Sequence, residues 1–183
     1  MTEEKGHLKG AELSTLLKDF HQIDVGSVMK SNVWDMSYVT PETPIEDVIS
    51  ILGSRKHIWV VRTLRSMKLL GLITERNLVD VLAPREIDPY NFSWSPTSIH
   101  SILFGGINKA GDIMTTDLEM VGPDSTVGQA LTIMKKYQLK RLPVVKKGIL
   151  VGEITVKTMM LQFKKVMKWR LIIDEEERKK GLK

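Results

Sequence analysis

Cysteine is absent from the 183 residues, so the chain can form no disulfide, thiolate metal site or cysteine nucleophile, an absence that fits a reducing compartment. No run approaches the ~18 to 20 apolar residues of a bilayer-spanning helix, and the opening Met1-Thr2-Glu3-Glu4 lacks the apolar core of a secretory signal. A soluble cytoplasmic protein without a membrane partner is expected. Walker and Rossmann glycine patterns are missing, and His7, His21, His57 and His100 show no metal spacing on a helix face. The expectation is therefore no enzyme, no catalytic residue, no metal and no required cofactor. What is present is a globular composition, 42% apolar, and a net charge of +5 that leans toward anionic partners. At this size one ordinary domain or two small ones can bury roughly two-thirds of the unfolded surface.

An internal repeat organises the chain. Val28-Met29 answers Ile113-Met114, and the Pro-containing turn from Val39 to Ile45 answers Val121 to Val127. Lys56-His57-Ile58-Trp59-Val60-Val61 answers Lys140-Arg141-Leu142-Pro143-Val144-Val145, and Leu70-Gly71-Leu72-Ile73-Thr74 answers Val151-Gly152-Glu153-Ile154-Thr155. Four blocks in the same order, at offsets between 81 and 85 residues, make chance similarity improbable.

Each copy switches period in the same way. Ile45, Val48, Ile49 and Leu52 have helical spacing with Thr43 placed to cap; Val127, Ala130, Leu131 and Met134 repeat this behind Ser125. The spacing predicts helices over 43–53 and 125–136. Two short β-branched runs then read as a hairpin ending at Thr74 or Thr155, where a second helix starts. That helix carries Leu78, Val79 and Leu82 in the first copy and Met159, Met160 and Phe163 in the second. The predicted unit is β-α-β-β-α. Its expected divisions are an N-terminal helical segment (1–24, with Leu13, Leu16, Leu17 and Phe20), repeat 1 (25–82), a Pro- and aromatic-rich insert (83–109), repeat 2 (110–163) and a helical tail (164–183).

With these blocks in place, the chain resembles a tandem pair of cystathionine-β-synthase-type (CBS) domains, called a Bateman module. The carriers are Val28-Met29, the Pro-containing turns, Arg141-Leu142-Pro143-Val144-Val145, and the Gly-Leu-Ile-Thr and Gly-Glu-Ile-Thr segments. The resemblance implies an α/β (α+β) fold in which two repeats pack with pseudo-twofold symmetry around two clefts, with terminal helices added. It also implies a regulatory sensor that binds an adenosine compound such as AMP, ADP, ATP or S-adenosylmethionine, acts on a regulated protein partner and forms a homodimer.

In the family pattern the second hairpin strand runs Gly-hydrophobic-hydrophobic-Ser/Thr-x-x-Asp. The hydroxyl residue stands at a helix N-terminus, which favours an anion, and the Asp accepts both ribose hydroxyls. Here Thr74 and Thr155 keep the hydroxyl, while Asn77 and Thr158 replace the Asp. Exchanging charge-assisted bonds for neutral ones costs ~1 kcal/mol or more. Asn77 keeps one carbonyl oxygen, so the cleft with Thr74 and Asn77 is expected to be the more competent one. Lys56-His57 and Lys140-Arg141 are the candidate phosphate partners, and Tyr38 and Met120 the candidate walls for the base. Bland readings stand beside these: Lys140 and Arg141 as solvated charges at a strand entrance, His57 as a packed histidine, Tyr38 and Met120 as core. Trp59 stands where the second copy has Pro143 and could close one cleft.

Two other functions compete. Lys164, Lys165, Lys168 and Arg170, interleaved with Phe163 and Trp169, suit a single-stranded nucleic acid, although the same lysines fit the solvated back of a helix whose apolar face is Met160, Phe163, Val166 and Met167. A pure protein-interaction module with degenerate clefts is the other.

Overall fold

The computed structural model describes residues 10–32, 36–82 and 107–181. In chain order its elements are α1 (Gly10–His21), α2 (Val25–Val28), β1 (Tyr38–Val39), α3 (Ile45–Leu52), β2 (His57–Val61), β3 (Leu69–Thr74) and α4 (Glu75–Leu82), followed by α5 (Ala110–Ile113), α6 (Val127–Lys136), β4 (Arg141–Lys146), β5 (Ile149–Thr155) and α7 (Val156–Gly181). The expected mix of helix and strand is there. In the first copy β1 pairs parallel with β2, and β2 antiparallel with β3. In the second copy the opening strand is reduced to a parallel bridge between Val121 and Val144. Most of the insert, 83–106, lies outside the described residues. The tail expected from 164 continues the preceding helix without a break.

Two helix starts differ from expectation. Pro44, not Thr43, is the N-cap of α3, and the Thr43 hydroxyl instead accepts from Thr40 N–H at 3.1 Å. Ser125 does the same for Gly122 N–H at 3.2 Å, leaving Thr126 to cap α6 in a reciprocal box with Gln129. A hydroxyl just after a proline turn is thus used to close the turn, one residue before the helix begins.

The chain divides into two compact units, which do not follow the repeat boundaries. The first-hairpin unit is Asn32–Leu118 with Lys147–Leu150; the second-hairpin unit is Met1–Ser31, Glu119–Lys146 and Val151–Lys183. The opening segment of each repeat therefore joins the hairpin of the other.

In the first-hairpin unit, β2 is buried on both faces, as its nearly continuous apolar run requires. Ile58 and Val60 face a core with Val39, Ile45, Val48, Leu52, Ile73, Ala110 and Ile113. Trp59 and Val61 point the other way, into a cluster with Met36 and Leu150. Each such aliphatic side chain withdrawn from water contributes about 1.5–3 kcal/mol. The second-hairpin unit repeats the plan around Val121, Val127, Ala130, Met134, Leu142, Val144, Ile154 and Met159, with Val25 and Phe20 added. Of the N-terminal apolar set, Leu16 and Phe20 are buried while Leu13 and Leu17 remain exposed. The second hairpin turns at Lys147 (φ 52°) and Gly148 (φ 79°), two left-handed residues in succession, the geometry that a tight two-residue hairpin demands.

The exchange is fixed by backbone pairing. Leu72 and Thr115 trade both N–H···O bonds at 2.9 Å, and Lys30 and Glu153 do so at 2.8 and 3.1 Å. Beside each pair lies a glycine with no room for more. A Cβ on Gly71 would stand 2.9 Å from both Met114 Sδ and Thr115 O, and one on Gly152 2.8 Å from Lys30 O and 2.9 Å from Met29 Sδ. The Met of one repeat and the Gly of the other are therefore two halves of one contact.

Candidate functional site

Both hairpins end at a threonine that opens a helix. Thr74 N–H and Thr74 Oγ1 donate to Asn77 Oδ1 at 2.9 and 2.8 Å. Asn77 Nδ2 donates in turn to Ile113 O at 3.0 Å and Thr115 Oγ1 at 3.2 Å. Two bonds accepted and two donated are the full complement of a side-chain amide. In the second copy Thr158 Oγ1 accepts from Thr155 N–H at 3.0 Å and donates to Thr155 O at 2.8 Å, while Thr155 Oγ1 accepts from Thr158 N–H at 3.1 Å. At the position where the family pattern has a ribose-binding Asp, both side chains thus turn back to cap their own helices. Asn77 also ties the helix to the opening segment beside it.

The basic pairs come to the same hairpin ends. The β2–β3 register sets His57 opposite Thr74. His57 is half-buried, with its ring edge-on to Trp59 at 5.3 Å between centroids, and Lys56 is exposed. In the second copy Lys140 O accepts from Val156 N–H at 3.1 Å, which places Lys140 and Arg141 beside the start of α7. Lys140 is exposed and Arg141 half-buried. Burial pulls the Arg141 guanidinium below its ordinary pKa, and the carboxylate of Glu153 works against that pull. An Arg keeps its charge through any such shift. Glu153, only 8% exposed, stands where the pattern has a hydrophobic residue and where the first copy has Leu72. That departure was the sequence signal for a buried acid beside Arg141. The partners of Asn77, 36 and 38 residues away, left no sequence signal at all.

The candidate walls divide. Tyr38 packs on the cluster of Met36, Trp59, Val61 and Leu150. Met120 is 48% exposed and borders a depression of about 1010 Å³ between the end of α1 and α6, lined also by His21, Gln129 and Lys135. None of Thr155, Thr158, Lys140 and Arg141 lines that depression. Trp59, fully buried, is a core residue of its unit. On α7 the two aromatics part company: Phe163 meets Phe20 edge-on at 5.0 Å, whereas Trp169 is 67% exposed. Among the described residues, no helix is long and apolar enough to cross a membrane and no group of three His, Asp or Glu could hold a metal ion.

The family model for the CBS domain matches residues 25–84 and again 110–165. The chain belongs to the CBS-domain family. Its two matches make it a tandem CBS pair. Inosine-5'-monophosphate dehydrogenase from Staphylococcus epidermidis is 26% identical over 123 residues, covering 66% of this chain and 21% of that enzyme. The chain thus spans about a fifth of the length of that curated relative. Among solved structures, CBSX2 in complex with AMP aligns with a TM-score of 0.60 at 20% identity, over 77% of this chain and 98% of that one. The CBS domain pair of protein MJ0100, in complex with 5'-methylthioadenosine and S-adenosyl-L-methionine, aligns at 0.55 and 19%, over 78% and 96%. At these identities the two structures establish the shared fold.

Proposed function

We propose that this CBS pair is a non-catalytic regulatory module that senses an adenosine-type nucleotide, with AMP, ADP, ATP and S-adenosylmethionine as the candidate ligands. The observation that carries the reading is the coincidence, in each unit, of a threonine at a helix N-terminus with a basic pair at the same hairpin end. A helix start offers a favourable dipole for an anion, and Lys or Arg beside it adds charge; at α7 the Val156 and Thr158 N–H groups are already bonded to Lys140 O and Thr155 Oγ1, so the dipole and the basic pair supply the attraction there. Complexes of CBSX2 with AMP and of MJ0100 with adenosine compounds support the ligand class. In this reading Thr74, Asn77, Lys56 and His57 form the more competent half-site, with Tyr38 beside them. Thr155, Thr158, Lys140, Arg141 and Met120 serve the other. Ligand binding at Asn77 exchanges its bond from Thr74 Oγ1 for one from a ribose hydroxyl. A homodimer belongs to the same reading, supported by the large apolar side chains that α7 leaves exposed, Trp169 (67%) and Ile172 (40%).

Thermal-shift measurement against AMP, ADP, ATP and S-adenosylmethionine tests the proposal, because a ligand that binds only the native state raises its stability, by about 2.7 kcal/mol at a hundredfold excess over Kd. A flat response to all four defeats it. Arg141→Ala should weaken phosphorylated ligands more than adenosine itself; equal losses remove the phosphate role. One observation favours a second reading, a protein-interaction module: Asn77 and Thr158 have their hydrogen-bonding capacity committed within the protein.

A further inference from the structure

We propose that the C-terminal half of α7 is a self-complementary docking surface for a second copy of this chain, the two helices lying antiparallel. The proposal rests on the homodimer above and assigns it a surface. At about 100° per residue, Lys165, Trp169, Ile172 and Glu176 fall within about 60° of arc on the helix. Met159, Phe163 and Val166, which pack on the core of the second-hairpin unit, lie on another side. Trp169 is 67% exposed and Ile172 40%, with Lys165 and Glu176 exposed around them. A tryptophan in that position holds one of the largest apolar areas any side chain can offer to a partner.

The order of these four residues selects the occupant. A twofold axis passing between residues 170 and 171 sets Trp169 of one copy on Ile172 of the other, and Lys165 opposite Glu176, each contact occurring twice. Lys165 and Glu176 are eleven residues, roughly 16 Å, apart along the axis, so the apolar pair is flanked by an ion pair at each end. Such a patch is isologous, as a closed dimer requires. A parallel pairing would set lysine on lysine and glutamate on glutamate. An anionic lipid surface or a single-stranded nucleic acid, laid along the same face, would meet the Glu176 carboxylate without a partner for it.

Sedimentation analysis of the full chain at micromolar concentration provides the test. The wild type should be a dimer, and Lys165→Glu or Glu176→Lys alone should each raise its dissociation constant at least tenfold. The double reversal, Lys165→Glu with Glu176→Lys, should bring it back. Both side chains are exposed, so melting temperatures measured at concentrations low enough for every variant to be monomeric should not move; Trp169→Gln gives an independent reading through the apolar contact and should also weaken the dimer. A monomeric wild type overturns this surface and the homodimer together. A dimer indifferent to all these changes leaves the homodimer and overturns the surface. Losses in the single reversals that the double reversal does not recover overturn the antiparallel register.

Discussion

The two hairpin ends use one design and differ in how far it reaches. At Thr155 and Thr158 the hydroxyls close a single turn, so the cap is local to α7. At Thr74 and Asn77 the same position carries an amide, and its nitrogen adds bonds to Ile113 O and Thr115 Oγ1 in the opening segment of the other repeat. The neighbouring positions reverse the emphasis. Arg141 has the buried carboxylate of Glu153 beside it, while His57 stacks edge-on against buried Trp59. One end thus carries a long-range polar latch, the other a buried carboxylate facing a half-buried guanidinium. Duplicated sequence has been spent differently in the two halves, and the segment exchange makes each half depend on both repeats.

That dependence predicts the largest effects. Ile58 and Leu142 are fully buried at matched strand positions, and truncating either to Ala should cost about 2–5 kcal/mol. Because each compact unit contains chain from both repeats, either variant should lower one common melting transition. Two resolved transitions in calorimetry, only one of them displaced, would show that the exchange does not couple the units.

The glycines beside the exchange come next. Gly71→Ala and Gly152→Ala each push a methyl against a carbonyl oxygen held by two-way backbone pairing, at a cost of about 1–3 kcal/mol. Gly122→Ala, whose nearest neighbour would be 3.7 Å away, is the control and should be close to neutral. Chemical denaturation of the three variants decides this. If Gly71→Ala and Gly152→Ala are as mild as the control, the Met–Gly contact is not tight.

The same contact marks where sequence reading stopped. Period and turn chemistry made the hairpins, α3, α6 and the β-apolar faces legible, because those are set by neighbours a few residues away. The blocks Val28-Met29 and Gly152-Glu153 were both visible as repeats, but nothing local tells a short opening helix which hairpin to join. Four-residue helices such as α2 and α5 contribute little stability alone, so tertiary contact decides their place. The site divides along the same line. Thr74, Thr155 and the basic pairs were found from their motif, whereas the latch made by the Asn77 amide depends on partners more than thirty residues away.

Asn77→Asp separates the latch from the ribose role. The change removes both amide donors and sets a carboxylate against Ile113 O, which costs about 1–3 kcal/mol. An acid near a helix start returns only about 0.3–1 kcal/mol. Thr158→Asp, with no long-range bond to lose, should be nearly neutral. If Asn77 also meets ribose, Asn77→Asp should tighten nucleotide binding in calorimetry while lowering the melting temperature. Unchanged affinity removes the ribose role and leaves the latch.

The smallest effect concerns the two opening helices, which differ in one titratable group. In α5 the third residue is Asp112, whose Oδ2 accepts N–H bonds from Asn108 at 2.9 Å and Lys109 at 3.1 Å. These bonds, that from Asn108 foremost, hold the Asp112 carboxyl below its ordinary pKa of 3.8. In α2 the same place is Ser27, whose hydroxyl donates to Asp24 O at 2.8 Å and does not titrate. A carboxyl with a lower pKa folded than unfolded stabilises the fold fully above the unfolded value. The contribution drains away as pH falls through the folded one. Asp112→Ala should therefore lower the melting temperature by a constant amount from neutral pH down to about 5, and the gap to wild type should close below about pH 4. Ser27→Ala should show a gap independent of pH. Asp112 is at the surface, where water screens such bonds, so the gap will be modest at any pH. Its closure in acid, in one repeat and not in the other, is what identifies the cap; a gap that persists unchanged to low pH would mean that Asp112 acts through something other than its charge.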